Sequence, residues 1–137
     1  MAVVSRPAST DRELVREFYG LLGQPDEVLL RVVPGFIQHQ TGRTIPWVGR
    51  ERFREHLAML AAQFSEFRFD LDEIVTEGSR AAVRYTMRGT TRTGKKLELP
   101  GMDFLRLKDG LIEEVWGIFD RAVLRDQLGP SPHVRRP

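Results

Sequence analysis

The stretch Lys96-Leu97-Glu98-Leu99-Pro100-Gly101-Met102-Asp103-Phe104-Leu105-Arg106-Leu107-Lys108 alternates without a slip. Leu97, Leu99, Gly101, Asp103, Leu105 and Leu107 share one frame, while Lys96, Glu98, Met102, Phe104 and Arg106 share the other. Strict period-two alternation predicts a long strand with one face on a core and one towards solvent. The stretches before and after keep the same period. Phe67, Phe69 and Leu71 alternate with Arg68, Asp70 and Asp72, and Ala81, Val83, Tyr85 and Met87 alternate with Ala82, Arg84, Thr86 and Arg88. Turn signals at Glu77-Gly78-Ser79, Thr93-Gly94 and Asp109-Gly110 then divide the second half into four long antiparallel strands, the last over residues 111–119.

Upstream of residue 64 the period is 3.6 instead. Thr10 and Glu13 form a capping box, followed by Leu14, Val15, Phe18, Tyr19, Leu21 and Leu22 at helical spacing until Gly23. Pro25-Asp26-Glu27 predicts the first turn of a second, short helix carrying Val28, Leu29, Val32 and Val33 and closed by Pro34-Gly35. Residues 36–40 read as a short strand and residues 41–49 as a loop holding Trp47. Residues 50–64 read as a third helix with Phe53, Leu57, Leu60 and Phe64 on one stripe, and residues 121–128 as a last helix ending at Gly129. Helices first and a meander afterwards is an α+β pattern in which helices cover one face of an antiparallel sheet.

The composition limits the chemistry. The chain has 137 residues, of which 41% are hydrophobic and 29% charged, consistent with one domain at residues 10–129, a flexible arm at 1–9 and a flexible tail at 130–137. There is no secretion signal and no membrane-spanning run, so the expected location is the cytoplasm. Absence of cysteine excludes disulfides, thiolate metal sites and a cysteine nucleophile. A net charge of +2 implies neither a nucleic-acid partner nor a membrane surface. No P-loop, GxGxxG turn, GxSxG elbow or metal-ligand spacing is present, which leaves acid–base work in an apolar pocket with no cofactor and no metal.

The polar exceptions within apolar frames are the candidates. Asp103 points with four leucines, so it is either a structural carboxylate tied to neighbours or a reactive group with a raised pKa. His39 lies in phase with Ile37 and is either a satisfied surface residue or the best available general base. Asp120 follows the strand bearing Trp116; if that tryptophan faces inward, Asp120 lies beside Asp103, although Asp is also a natural N-cap for the last helix. His56 and His133 read as solvated. Trp47, Tyr85, Met87, Trp116, Phe36 and Leu60, with Tyr19, Phe67 and Phe69, would line a pocket or form ordinary core.

The order of these strings resembles the SnoaL-like polyketide cyclases of the ketosteroid isomerase and nuclear transport factor superfamily. They are Gly49-Arg50-Glu51, Tyr85-Thr86-Met87-Arg88-Gly89-Thr90, Thr93-Gly94-Lys95, residues 103–110, Glu114-Val115-Trp116, and Asp120 with Gln127-Leu128-Gly129. The resemblance implies a cone-shaped α+β barrel with a deep apolar cavity, often a homodimer through the outer sheet face. It implies a neutral acid at Asp103, an oxyanion donor at Tyr19, a base at His39 and a catalytic acid residue at Asp120. Arg88 matches the arginine of limonene-type epoxide hydrolases, but the two acids of that site are missing near Thr90 and Ile118, which disfavours that reaction.

Three functions fit: a cofactor-free cyclase or isomerase using enolate chemistry on a hydrophobic, polyketide-like compound of secondary metabolism; a pocket that templates cycloaddition or ether-ring closure; and a non-catalytic binding or dimerisation module.

Overall fold

The computed structural model describes residues 9–129. The expected tail lies outside that range, as does the expected arm apart from Ser9, and the capping box rests on a Thr10 side chain that is likewise outside the description. Helix α1 (Ser9–Gly20) is followed by α2 (Pro25–Val28), a single 3₁₀ turn (Leu29–Arg31), β1 (Val32–Gln40), β2 (Trp47–Val48) and α3 (Arg50–Gln63). Strands β3 (Phe64–Glu77), β4 (Arg80–Thr91), β5 (Lys96–Lys108) and β6 (Leu111–Phe119) come next, and α4 (Arg121–Leu128) closes the unit.

The six strands form one curved, open sheet in the order β2-β1-β6-β5-β4-β3, antiparallel throughout except for the parallel pair β1 and β6. β5 shows the alternation expected of it, with Leu97, Leu99, Gly101, Asp103, Leu105 and Leu107 buried and every intervening residue exposed. Helices α1 and α3 lie on that inner face. The core between them centres on Phe18, Phe36 and Phe53: Phe18 stacks on Phe53 at 6.0 Å, and Phe36 meets Phe53 at 4.6 Å. Burying such rings contributes about 1.5–3 kcal/mol each.

Three expectations are corrected. The second helix stops early, because Val32 already begins β1 and Pro34-Gly35 lies inside that strand. The register against β6 shifts between Val32 and Ile37, and β2 pairs only with Ile37 and Gln38, so the missing N–H of Pro34 costs no ladder bond on that side. The Arg50 guanidinium donates to the Val32 carbonyl at 2.6 Å and clamps the start of α3 to this irregular strand.

The second correction concerns β1. Val32, Phe36 and Gln38 are its buried residues, so the frame of Ile37 and His39 faces outward. The third concerns β6, where the pairing runs from Leu107 opposite Ile112 to Arg106 opposite Glu114, leaving Glu113 as an extra residue. This bulge flips the phase. Ile112, Val115 and Gly117 are therefore buried, and Trp116 is carried to the outer face.

Candidate functional site

A cavity opens between α3, α4 and the inner face of the sheet as two adjoining chambers. The outer one, about 310 Å³, is lined by Trp47, Met59, Leu60, Phe64, Met87, Leu97, Leu99, Leu124 and Leu128 among others. The inner one, about 60 Å³, is lined by Phe18, Tyr19, Leu22, Gln38, Phe53, Leu57, Asp103 and Gly117. Gln40, His56, Leu60, Phe69, Tyr85 and Phe119 line both and so form the neck between them. Dry walls with polar groups at the inner end are the usual build of a small-molecule site.

Asp103 reaches the inner chamber because β5 places it opposite Gly117 of β6 and Val83 of β4. A Cβ at position 117 would stand 3.0 Å from Asp103 Oδ1, so glycine leaves room for the carboxylate to lie across the sheet. One strand over, Tyr85 lies across Gly101 in the same way, where a Cβ would meet the phenol oxygen at 2.5 Å. Two glycines in the inner frame thus admit two polar side chains.

The Tyr19 hydroxyl, from the last turn of α1, donates a hydrogen bond to Asp103 Oδ2. Tyr85 and the Ile118 backbone N–H also face the carboxylate and favour its ionised form. Neither makes a full hydrogen bond to Oδ1, which is buried and has no partner among the described residues. Burial outweighs these contacts and pushes the Asp103 carboxyl up to about 6. Burial, reinforced by the neighbouring carboxylate, raises both Tyr19 and Tyr85 above the ordinary phenol value, so each keeps its proton. The result is a carboxyl that ionises near neutrality at the wall of the inner chamber, with one oxygen held by Tyr19 and the other buried without a full hydrogen bond. It can take a proton and return it.

The other site candidates separate. Trp47, Tyr85, Met87 and Leu60 line the cavity, with Phe69. Phe36 is fully buried between Phe18 and Phe53 and lines neither chamber. Trp116 is on the outer face, stacked on His39 at 5.1 Å, near Phe104, and beneath the Arg106 guanidinium. His39 Nε2 pairs with Glu114 at 2.6 Å on that same face. A base at His39 would act on the wrong side of the sheet. Asp120 is exposed and caps α4, accepting from the backbone N–H groups of Ala122 at 2.8 Å and Val123 at 3.2 Å. Its carboxylate is committed to the helix and lines neither chamber.

The expectation for His56 rested on its place beside Glu55 on a charged helix. Instead of being solvated it lines both chambers, stacked on Trp47 at 3.9 Å and tilted against Phe53. Burial, with the Arg43 cation nearby, lowers its pKa to about 4. The signal was present in the sequence: His56 follows Phe53 by three residues and precedes Leu60 by four, within the apolar stripe of α3. Gln38 was legible in the same way, being in phase with Phe36 on β1.

The fold has close structural counterparts. A candidate polyketide cyclase from Bacillus cereus ATCC 10987 superposes with a TM-score of 0.79 at 22% identity, covering 93% of this chain and 85% of that one. TsrD from Streptomyces laurentii gives 0.78 at 21% identity, over 91% and 98% of the two chains. A protein with a ketosteroid isomerase-like fold from Catenulispora acidiphila DSM 44928 gives 0.79 at 13% identity, over 90% and 98%. These likenesses show a shared cone-shaped α+β fold. No curated protein matches the sequence. The SnoaL-like domain, however, is matched by residues 15–115, and on that span the chain belongs to the SnoaL-like family.

Proposed function

We propose that the protein is a cyclase or isomerase that moves a proton on a hydrophobic, polyketide-like carbonyl compound without a cofactor. The observation that carries this reading is Asp103, buried at the inner end of an apolar cavity with Oδ1 unpartnered among the described residues and Oδ2 held by Tyr19. A carboxylate in that state takes the proton from a carbon next to a carbonyl, the electron pair moves to the carbonyl oxygen, and an enolate forms. Ring closure follows when the enolate carbon attacks a second carbonyl of the same molecule and Asp103 returns its proton to the new alkoxide. Atoms are conserved and no oxidant is required. Tyr19 acts on Asp103, fixing its orientation. Membership of the SnoaL-like family and a candidate polyketide cyclase among the similar folds support this assignment.

The test is deuterium wash-in to 2-tetralone, a bicyclic ketone, followed by mass spectrometry in deuterated buffer. The wild type should exchange well above buffer, with a rate that rises through pH 6 as Asp103 ionises. Asp103→Asn should lose about 10²–10⁴-fold. Unchanged exchange in that variant would remove Asp103 from the chemistry. A wild type that binds 2-tetralone and never exchanges it would instead be a carrier.

A second copy of the chain belongs on the outer face in this reading. Met102, Phe104 and Ile118 are 58%, 41% and 66% exposed there, and Arg84, Arg88, Asp72 and Glu98 around them provide both signs of charge.

A further inference from the structure

Proton removal at a carbon gains most when something receives the charge that arrives on oxygen, and neither chamber wall near Asp103 is cationic. Three neck residues carry a donor, Gln40, His56 and Tyr85; Tyr85 already faces the Asp103 carboxylate, and of the other two His56 has its ring fixed by aromatic neighbours. His56 projects from α3, across the cavity from β5, into the space that both chambers share. Its ring is held by Trp47 on one side and Phe53 beyond. Neither ring nitrogen has a hydrogen-bond partner among the described residues, although the ring is otherwise well packed. A partly buried imidazole whose nitrogens are free of protein partners, on a wall that both chambers share, is open to a hydrogen bond from a ligand in the cavity.

Taking the proton-transfer reading above as its basis, we propose that His56 donates a hydrogen bond to the substrate's carbonyl oxygen at the neck while Asp103 removes the adjacent proton from the inner side. His56 is then a catalytic residue, and the substrate class narrows to ketones whose oxygen lies at the neck, with the acidic C–H directed into the small chamber and the ring system in the large one. Burial keeps the imidazole neutral at neutral pH, so it carries one N–H and acts as a donor rather than as a charged acid. A neutral imidazole of this kind polarises a carbonyl effectively when its site is dry. The step balances: the C–H pair becomes the new C=C bond, the carbonyl π pair moves onto oxygen, the proton rests on Asp103 Oδ1, and the imidazole keeps its hydrogen. The 60 Å³ inner chamber suits this arrangement, having room for a methylene or a water or two but not for a ring.

The experiment uses 2-naphthol as a mimic of the enolate and 2-tetralone as the exchanging ketone. Wild type, His56→Phe, His56→Gln and Asp103→Asn are compared. His56→Phe preserves the stack on Trp47 and removes the donor, so it should weaken 2-naphthol binding at least about tenfold and slow exchange roughly 10²–10³-fold. His56→Gln restores an N–H and should recover part of both losses. In the wild type, the ¹⁵N signals of the His56 ring should shift on naphthol binding, a readout independent of how any variant folds. Naphthol affinity in His56→Phe within about twofold of wild type, with no ring ¹⁵N shift, overturns the proposal, being far below the loss expected of an oxyanion donor. Asp103→Asn should bind naphthol and fail to exchange tetralone. If it exchanges normally, the proton-transfer reading fails, while the naphthol comparison still decides the role of His56.

Discussion

At the scale of single residues the site is defined by two groups whose environments move their pKa values in opposite directions. Asp103 is raised to about 6 by burial, so the folded protein binds its proton more tightly than the unfolded chain does. Stability from this group is full below the ordinary carboxylate pKa and is lost as pH rises towards 6, by about 3 kcal/mol in all. His56 is lowered to about 4, again by burial first. Its contribution is full above the ordinary histidine pKa and is lost as pH falls from about 6.5 to 4, by about 3 kcal/mol. The two slopes oppose each other over the same window. The wild type should therefore show a nearly flat stability between pH 4 and 6. Asp103→Asn should become more stable as pH rises through that range, and His56→Gln less stable. Urea melts at half-unit pH steps measure all three, and parallel curves for the three proteins would contradict the burial of both groups.

At the scale of elements, the strands that were legible are those whose alternation is unbroken. β5 follows its pattern from Lys96 to Lys108, and with it Asp103 is placed on the inner face before any contact is known. Where a bulge intervenes, period two no longer carries across it. The extra residue at Glu113 turned Trp116 outward, and the irregular passage through Pro34-Gly35 concealed the first half of β1 within an apparent helix. Neither bulge has a local signature strong enough to outweigh the apolar residues around it. Asp120 entered the expected site through the phase error at Glu113, whereas His39 entered as the best available base and through the family resemblance, its phase with Ile37 being as expected. For Asp120 the consequence is measurable, because its side chain now has one visible task at the N-terminus of α4. Asp120→Asn retains a good cap and should leave both stability and tetralone exchange unchanged. Asp120→Ala should cost about 1 kcal/mol and lower Tm by about 3–5 °C, with the chemical step intact. Loss of exchange in Asp120→Asn would return the residue to the chemistry.

At the scale of the whole molecule, the sheet has two apolar faces with different uses. The inner face is closed by α1, α3 and α4 and leaves only the cavity. The outer face carries Met102, Phe104 and Ile118 in the open, next to the His39–Trp116 stack and the His39–Glu114 pair. A lone chain of this size rarely keeps such a patch in water without a partner. An isologous pairing of two such faces would bury the patch and bring arginines of one copy opposite carboxylates of the other. The expected outcome is a dimer by light scattering, converted to a monomer by Phe104→Glu combined with Ile118→Glu. Both substitutions lie on the side of the sheet away from the cavity, so the monomer should still bind 2-naphthol with an affinity within about threefold of the parent, since residues in separate contact networks act additively. A dimer that survives both glutamates would locate its interface elsewhere. Naphthol binding lost together with dimerisation would mean that the second copy shapes the cavity itself, through the curvature that β5 and β6 share between the two faces.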